Sequence, residues 1–172
     1  MAKSAYISNG SDNVYNASTQ AGVALSTALS TTQTGYTLYN PINSGFNLII
    51  QMITVMPTTA PAGISTILLT ANNNATATAP SSVTALTVRN SKLGAGANAV
   101  GLAYSACTLP AAPQVVAALG GVSATGSTTP FPIQWETDGI FVVTPGSSVS
   151  VNCLTTAISA VISMNWTEVS AF

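Results

Sequence analysis

The sequence contains no histidine and very little charge. Three basic and four acidic residues make up its formal charge, about 4% of 172 residues, whereas an average soluble domain has about 25%. Three basic residues form no positive stripe, so the composition argues against nucleic-acid binding. A weakly charged surface repels its neighbours little, which favours packing against other protein. A monomer with a merely neutral surface is the alternative.

Long apolar runs are also missing, although 47% of the residues are hydrophobic. A membrane-spanning helix needs about 18 or more consecutive apolar residues. The most apolar stretch, residues 46–56, is interrupted by Asn47, Gln51 and Thr54. The N-terminal MAKSAYISNGSDN has no apolar segment of the kind found in secretion signals. We therefore expect no membrane partner and synthesis in the cytoplasm without export by the general secretion route.

Groups for acid–base or nucleophilic catalysis are scarce. Such catalysis usually requires a histidine or a tuned carboxylate. Glu136 and Asp138 are close in sequence and would suit a glycosidase or a hard cation, but an Asp138–Gly139 turn with a flanking surface acid is the simpler interpretation. Neither a nucleophile motif nor metal-ligand spacing is present. We expect no enzymatic activity, no cofactor and no metal.

The two cysteines, Cys107 and Cys153, are too few to form a disulfide scaffold. Each lies in an apolar, strand-like run, where a free cysteine behaves as a small buried hydrophobic residue. A Cys107–Cys153 bridge is the other possibility, and the sequence leaves it open.

Strand patterns separated by turn residues recur along the chain. In 148–155 and 158–168, apolar and polar residues alternate with period two, as in half-buried antiparallel strands. About eight strands recur at intervals near 8–12 residues, the spacing of a sandwich or jelly roll. The sequence thus predicts an all-β fold, an antiparallel β-sandwich of jelly-roll type. Only residues 110–121 could form a short helix.

Residues 46–56 form the most apolar predicted strand. Both of its faces are apolar, so we expect burial on both sides, in the core or at a subunit interface. The candidate residues for this role are Phe46, Leu48, Ile50, Met52, Ile53 and Val55.

Residues 1–20 are polar and irregular, with Asn9–Gly10 and isolated tyrosines. This composition predicts an extended N-terminal arm outside the core, followed by a single β-sandwich domain over residues 21–172.

Two tryptophans and one glutamate sit in apolar strand patterns. Trp135 and Trp166 could form a carbohydrate-stacking platform if exposed, but their patterns favour core positions. Glu168 falls on the apolar face of its predicted strand, so it needs a partner. Arg89 and Lys92 are the cations in the middle of the chain, and we predict a pair between Arg89 and Glu168.

Two segments combine turn and strand motifs. One is TLYNPINSGFNLIIQMITV, a turn leading into an apolar strand. The other is PFPIQWETDGIFVVTPGSSVSVNCLTTAISAVISMNWTEV, with its proline–tryptophan start, glycine turn and terminal W-x-E. Together they resemble bacteriophage head decoration, or capsid cement, proteins. The resemblance implies a jelly-roll or tumour-necrosis-factor-like sandwich, typically a homotrimer, that binds the major capsid protein on the outside of the virion and bridges capsomers.

On this interpretation the strand at 46–56 also serves the trimer interface, and the arm contacts the shell. The candidate capsid contacts are Tyr6, Ile7, Val14 and Tyr15. Two other roles remain open at this point. A receptor-binding or fibre-tip module of a phage would present loops such as 72–82 to a host glycan. A small coat or pilus-like subunit would differ in copy number.

Overall fold

The computed structural model describes residues 13–59, 61–73, 78–92, 98–123 and 132–171. Within these ranges the chain forms strands and turns and no α-helix. The thirteen strands of the described ranges are β1 (Val14–Ser18), β2 (Val23–Ala24), β3 (Thr32–Tyr39), β4 (Phe46–Pro57), β5 (Ser65–Asn73), β6 (Ser81–Ala85), β7 (Val88–Asn90), β8 (Leu102–Thr108), β9 (Gln114–Val122), β10 (Ile133–Glu136), β11 (Val142–Val143), β12 (Ser147–Leu154) and β13 (Ser159–Ser170).

The strands build two antiparallel sheets that pack together, as the sequence predicts for an all-β sandwich. The seven-stranded sheet has the order β10-β4-β13-β1-β7, with β11 beside β4 and β2 beside β13. The six-stranded sheet has the order β6-β8-β3-β12-β5-β9. The count exceeds the eight predicted strands partly because β2, β7 and β11 are only two or three residues long.

The strand pairs are nested along the chain. β1 pairs with β13, and β3 pairs with β12. β4 pairs with both β10 and β11, and β5 pairs with β9. Early strands thus pair with late ones in reverse order, so most neighbours in either sheet are far apart in sequence. Strands β6, β7 and β8 lie between β5 and β9 in the chain and are not part of these nested pairs.

The core lies between the sheets and follows the predicted alternation. In β13, Ala160, Ile162, Met164 and Trp166 are fully buried, while the residues between them are partly exposed. This confirms the predicted face of residues 158–166. β4 runs beside β13 over almost its whole length, with one register shift at Asn165/Trp166. These paired strands form the centre of the seven-stranded sheet.

Gly35 allows an irregularity in β3. Its φ is +114°, a conformation that residues with a Cβ rarely adopt. The pairing of β3 with β8 shifts register between Thr34 and Thr37, around this glycine. Tyr36 and Leu38, which follow this glycine, are buried in the core.

Two predicted elements differ from the structure. Residues 114–122 form β9 instead of the short helix considered for 110–121, because pairing with β5 outweighs the helix propensity of the alanines. The end of the predicted arm is also wrong. Residues 14–18 form β1, which lies between β13 and β7 inside the seven-stranded sheet.

Candidate functional site

The outward side of strands β4, β13 and β1, at the centre of the seven-stranded sheet, is a surface that we call the open face. Leu48, Ile50, Ile53 and Val55 of β4 are in the core, so the residues between them point outward. The pairing with β13 and β1 extends this face across three strands. The open face comprises Ile49, Met52, Thr54, Met56, Val161, Ser163, Asn165, Thr167, Val14, Asn16 and Ser18, all partly exposed.

The open face mixes apolar side chains with amides and hydroxyls, and none of its residues is charged. The Gln51 side-chain amide donates to the Thr167 hydroxyl at 3.4 Å, which ties β4 to β13 at this surface. Depletion of charge with retention of apolar and hydrogen-bonding groups is typical of the centre of protein–protein interfaces. Chemically, the open face is suited to contact with another protein.

Charge lies at the two rims of the same sheet. Arg89 on β7 and Lys92 just after it are exposed at one rim. Glu136 at the end of β10 and Asp138 in the following turn are exposed at the other. One rim is therefore positive and the other negative, with the uncharged open face between them.

The negative rim also carries exposed aliphatic side chains. The predicted Asp138–Gly139 turn is confirmed, with φ of +48° and +77° and a 3.0 Å hydrogen bond from the Ile140 N–H to the Thr137 carbonyl. Positive φ at both central residues defines a type I′ turn. The turn leaves Ile140 68% exposed and Val142 48% exposed. This rim therefore combines two exposed aliphatic side chains with two exposed acids.

The outward side of the six-stranded sheet is different, because the residues of its central strands β3, β12 and β5 are largely buried there. β8 and β9 lie near opposite edges of that sheet, so the short connection between them must cross one of its faces. The Asn72 side-chain amide donates to the Ala111 carbonyl, and Leu109 packs with Tyr39, Tyr104 and Cys107. The crossing segment therefore covers part of this face.

A polar layer lies on this covered face. Asn152 of β12 accepts a hydrogen bond from the Thr70 hydroxyl at 2.6 Å and donates to Gln33 Oε1 at 2.7 Å. The Thr37 and Ser150 hydroxyls are 2.8 Å apart. All five side chains are buried, so their polar groups depend on one another for hydrogen bonds.

The Glu168 carboxylate has partners other than Arg89, so the predicted ion pair is wrong. Glu168 is buried on β13 and accepts hydrogen bonds from the backbone N–H groups of Val100 and Gly101, at 2.8–3.0 Å. The Trp166 indole N–H donates to the same carboxylate at 3.2 Å. Arg89 is exposed on β7. Three N–H groups thus stabilise the buried charge, and no cation is needed.

Gly101 approaches Glu168 where a side chain would be crowded. A Cβ added there would lie 3.0 Å from the Trp166 indole nitrogen and 3.0 Å from a Leu48 methyl group. Val100 and Gly101 bind Glu168 through their backbone N–H groups, which every residue except proline has. The sequence pattern therefore does not identify them as its partners. The isolated glycine in residues 99–102 was the available signal.

The two tryptophans and the two cysteines lie in buried or partly buried positions. Trp166 is fully buried, and Trp135 is partly buried, with its ring edge-on to Phe141 at 5.4 Å. The prediction that both belong to the core is confirmed, since Trp135 packs against the main cluster. Cys107 and Cys153 are buried and free, as favoured from the sequence.

The candidate interface residues separate into two groups. Leu48, Ile50, Ile53 and Val55 are at most 1% exposed and belong to the core of the subunit. Phe46 and Met52 are partly exposed. The prediction of burial on both faces holds for the inward face of β4, while the outward face forms part of the open face.

The candidate capsid contacts also separate. Tyr6 and Ile7 lie outside the described residues. Val14 lies on the open face, but Tyr15 is buried in the core, with its ring centroid 6.3 Å from that of Trp166. Tyr15 is therefore a packing residue, which corrects its assignment as a surface contact.

The described ranges also bear on ion, membrane and glycan binding. No group of three or more His, Cys, Asp or Glu side chains that could hold a metal ion occurs among the described residues. Over the same residues, no helix has the length and hydrophobicity to cross a membrane. The candidate glycan loop, 72–82, includes residues 74–77, which lie outside the described ranges.

Comparison with known proteins adds no relative to this picture. No protein-family model, curated protein or solved structure matches the chain at a significant level.

Proposed function

We propose that the chain is a jelly roll of the tumour-necrosis-factor-like kind. A jelly roll consists of two sheets formed by a nested set of antiparallel strand pairs. The pairs β1–β13, β3–β12, β4–β10/β11 and β5–β9 follow that plan. Successive strands β3, β4 and β5 also alternate between the sheets. The remaining strands are additions to these pairs.

The function we propose is that of a structural virion protein, a homotrimer bound to the major capsid protein on the outside of a phage head. The observation that carries this proposal is the open face, a sheet surface with no charged residue in a chain with only seven charges. We assign the open face to the capsid contact. Val14, at the start of β1, lies on this face.

Binding of this kind stabilises a shell through mass action and avidity. A ligand that binds only the assembled state shifts the equilibrium toward that state. A trimer engages several sites at once, so weak individual contacts add to a strong attachment. Bridging neighbouring capsomers follows if the three open faces contact different capsid subunits.

The experiment measures binding of purified protein to empty capsid shells by co-sedimentation. Ser163→Arg places a charge at the centre of the open face, and Ser81→Arg places the same charge on the exposed strand β6 of the other sheet. Burying an unpaired charge at an interface is costly. We therefore expect Ser163→Arg to weaken shell binding about tenfold or more, while Ser81→Arg binds like the unaltered chain.

Equal binding by both variants would contradict the assignment of the open face. Failure of the unaltered chain to bind shells would contradict the proposed role itself. Light scattering tests the homotrimer separately, since three chains of 17.3 kDa give about 52 kDa.

A further inference from the structure

Five residues form a straight row across the seven-stranded sheet. The strand pairings join Arg89 to Asn16, and Asn16 to Asn165. They continue from Asn165 to Met52, and from Met52 to Glu136. These residues lie on five adjacent strands, so the row spans about 19 Å, four inter-strand steps of about 4.8 Å.

The row has a direction because its ends carry opposite charge. Asn16, Asn165 and Met52 belong to the open face, so Arg89 and Glu136, paired directly with them, also point outward. The three residues between the ends are uncharged. Lys92 lies on the side of Arg89, and Asp138 lies on the side of Glu136. Each copy therefore has a positive rim and a negative rim at one level of the sheet.

We propose that these rims join copies of the chain head to tail, with Arg89 of one copy against Glu136 of the next, in a closed ring of three. The inference rests on the proposed homotrimer and assigns its interface. When each copy contacts the next through two different surfaces, the copies form a closed ring if the rotation from one copy to the next returns to the first copy. Contact between two identical rims would place Arg89 against Arg89 or Glu136 against Glu136, which is unfavourable.

Apolar contact supports the same junction. Ile140 and Val142, the exposed aliphatic residues of the negative rim, lose water contact when a neighbouring copy approaches. Interfaces combine an apolar centre with charges at the periphery, and the charges mainly select partner and orientation. Joined at their rims, the three copies keep their open faces free for the capsid.

A second arrangement satisfies the same charges. Two open faces packed against each other about an axis parallel to β13 would also place each Arg89 over Glu136 of the other copy. That arrangement is a dimer, and it would bury the surface assigned to the capsid. The rim arrangement is preferred because it also covers Ile140 and Val142 at the edge.

Charge reversal distinguishes the two arrangements. The variants are Arg89→Glu, Glu136→Arg and the double variant Arg89→Glu/Glu136→Arg, with Thr84→Glu, exposed on β6 of the other sheet, as a control that adds a charge outside the row. Light scattering over a dilution series gives the concentration at which half of the chains are assembled. Each single reversal creates like charges at every junction, so we expect that concentration to rise about tenfold or more. The double variant is expected to assemble nearly as well as the unaltered chain, as is Thr84→Glu.

An equimolar mixture of the two single variants gives a second test. In this mixture a copy with Arg89→Glu attracts a neighbour with Glu136→Arg, whereas two neighbouring copies of the same variant repel each other. Because three is odd, every mixed ring of three keeps one repulsive junction, so mixing restores assembly only partly. A face-to-face dimer of one variant with the other has two attractive pairs, so mixing would restore it fully.

The outcomes are distinct. A double variant that assembles fully, together with a mixture that assembles partly, supports the inference. Full assembly of the mixture as dimers overturns it in favour of face-to-face packing. Unchanged trimers in both single variants overturn the rim junction and leave the homotrimer standing. An unaltered chain that stays monomeric overturns the homotrimer and the inference together.

Discussion

The backbone N–H of Gly101 donates a 2.8 Å hydrogen bond to the Glu168 carboxylate. The two residues are 67 positions apart in the chain, and the contact fixes the start of β8 to the end of β13. A buried acid with N–H partners is a stabilising element, because hydrogen bonds to a charged group are stronger than those between neutral groups.

Replacing Glu168 by Gln is therefore expected to destabilise the fold. An amide has one oxygen in place of two and directs an NH₂ group toward backbone N–H donors. We expect the free energy of unfolding to fall by about 1.5–3 kcal/mol, the range for hydrogen bonds to charged groups. The midpoint of urea unfolding measures the effect. Asp138→Asn is the matched control, because that side chain is exposed and Asn tolerates its positive φ; an equal loss in both variants would contradict the role of Glu168.

The buried hydroxyl of Tyr36 contrasts with the hydrogen-bonded carboxylate of Glu168. Its hydroxyl is buried in the core without a hydrogen-bond partner among the described residues. Tyr36→Phe retains the ring and removes the unpaired group, so we expect stability to be unchanged or to rise by about 1 kcal/mol. A loss of more than about 1 kcal/mol, on the scale of a typical hydrogen bond, would show that the hydroxyl is paired in solution.

From the burial of Tyr36 we also predict that the fold loses stability in alkali. Burial raises the pKa of the Tyr36 hydroxyl, whereas a phenol in the unfolded chain ionises near pH 10. Above that pH the unfolded chain has released a proton that the folded chain retains, so the free energy of unfolding falls as pH rises. Urea unfolding at pH 8 to 11 should show this fall, with a smaller slope in Tyr36→Phe. Identical slopes would contradict the assignment to Tyr36.

The thiols are expected to be unreactive in the native protein. Cys107 and Cys153 are buried and free. Burial raises the pKa of the Cys107 thiol, and a hydrogen bond with Thr37 opposes the shift. Since the thiolate is the reactive form, a thiol reagent at pH 8 should modify neither residue until urea is added, and then both. Rapid modification of the folded chain, or a total below two thiols per unfolded chain, would contradict this expectation.

The polar layer on the covered sheet gives a further prediction. Asn152→Ala removes the donor to Gln33 Oε1 and leaves the Thr70 hydroxyl with the Ser150 carbonyl as its acceptor. We expect a loss of about 2–3 kcal/mol, from unpaired polar groups and the space left behind. Asn73→Ala, at an exposed end of β5, should stay within about 0.5 kcal/mol of the unaltered chain in the same urea assay. Comparable losses in the two variants would show that the layer contributes no special stability.

The all-β class and the buried faces of β4 and β13 were predictable from sequence, because side-chain alternation is a local property of a strand. Tyr15 was misplaced because its burial depends on pairing with Trp166, far along the chain. The partners of Glu168 are backbone groups, which leave no side-chain pattern. The row from Arg89 to Glu136 depends on the registers of four non-local strand pairs. Local patterns specify the faces of individual strands, whereas the open face and its rims require the registers between strands.

A reconstruction of the virion by electron microscopy tests the proposed function most directly. The account predicts this chain on the outer surface of the head as trimers, with the outward side of β4 and β13 against the major capsid protein. Density for the chain at the tail tip, or in the shell as the major coat subunit, would contradict it.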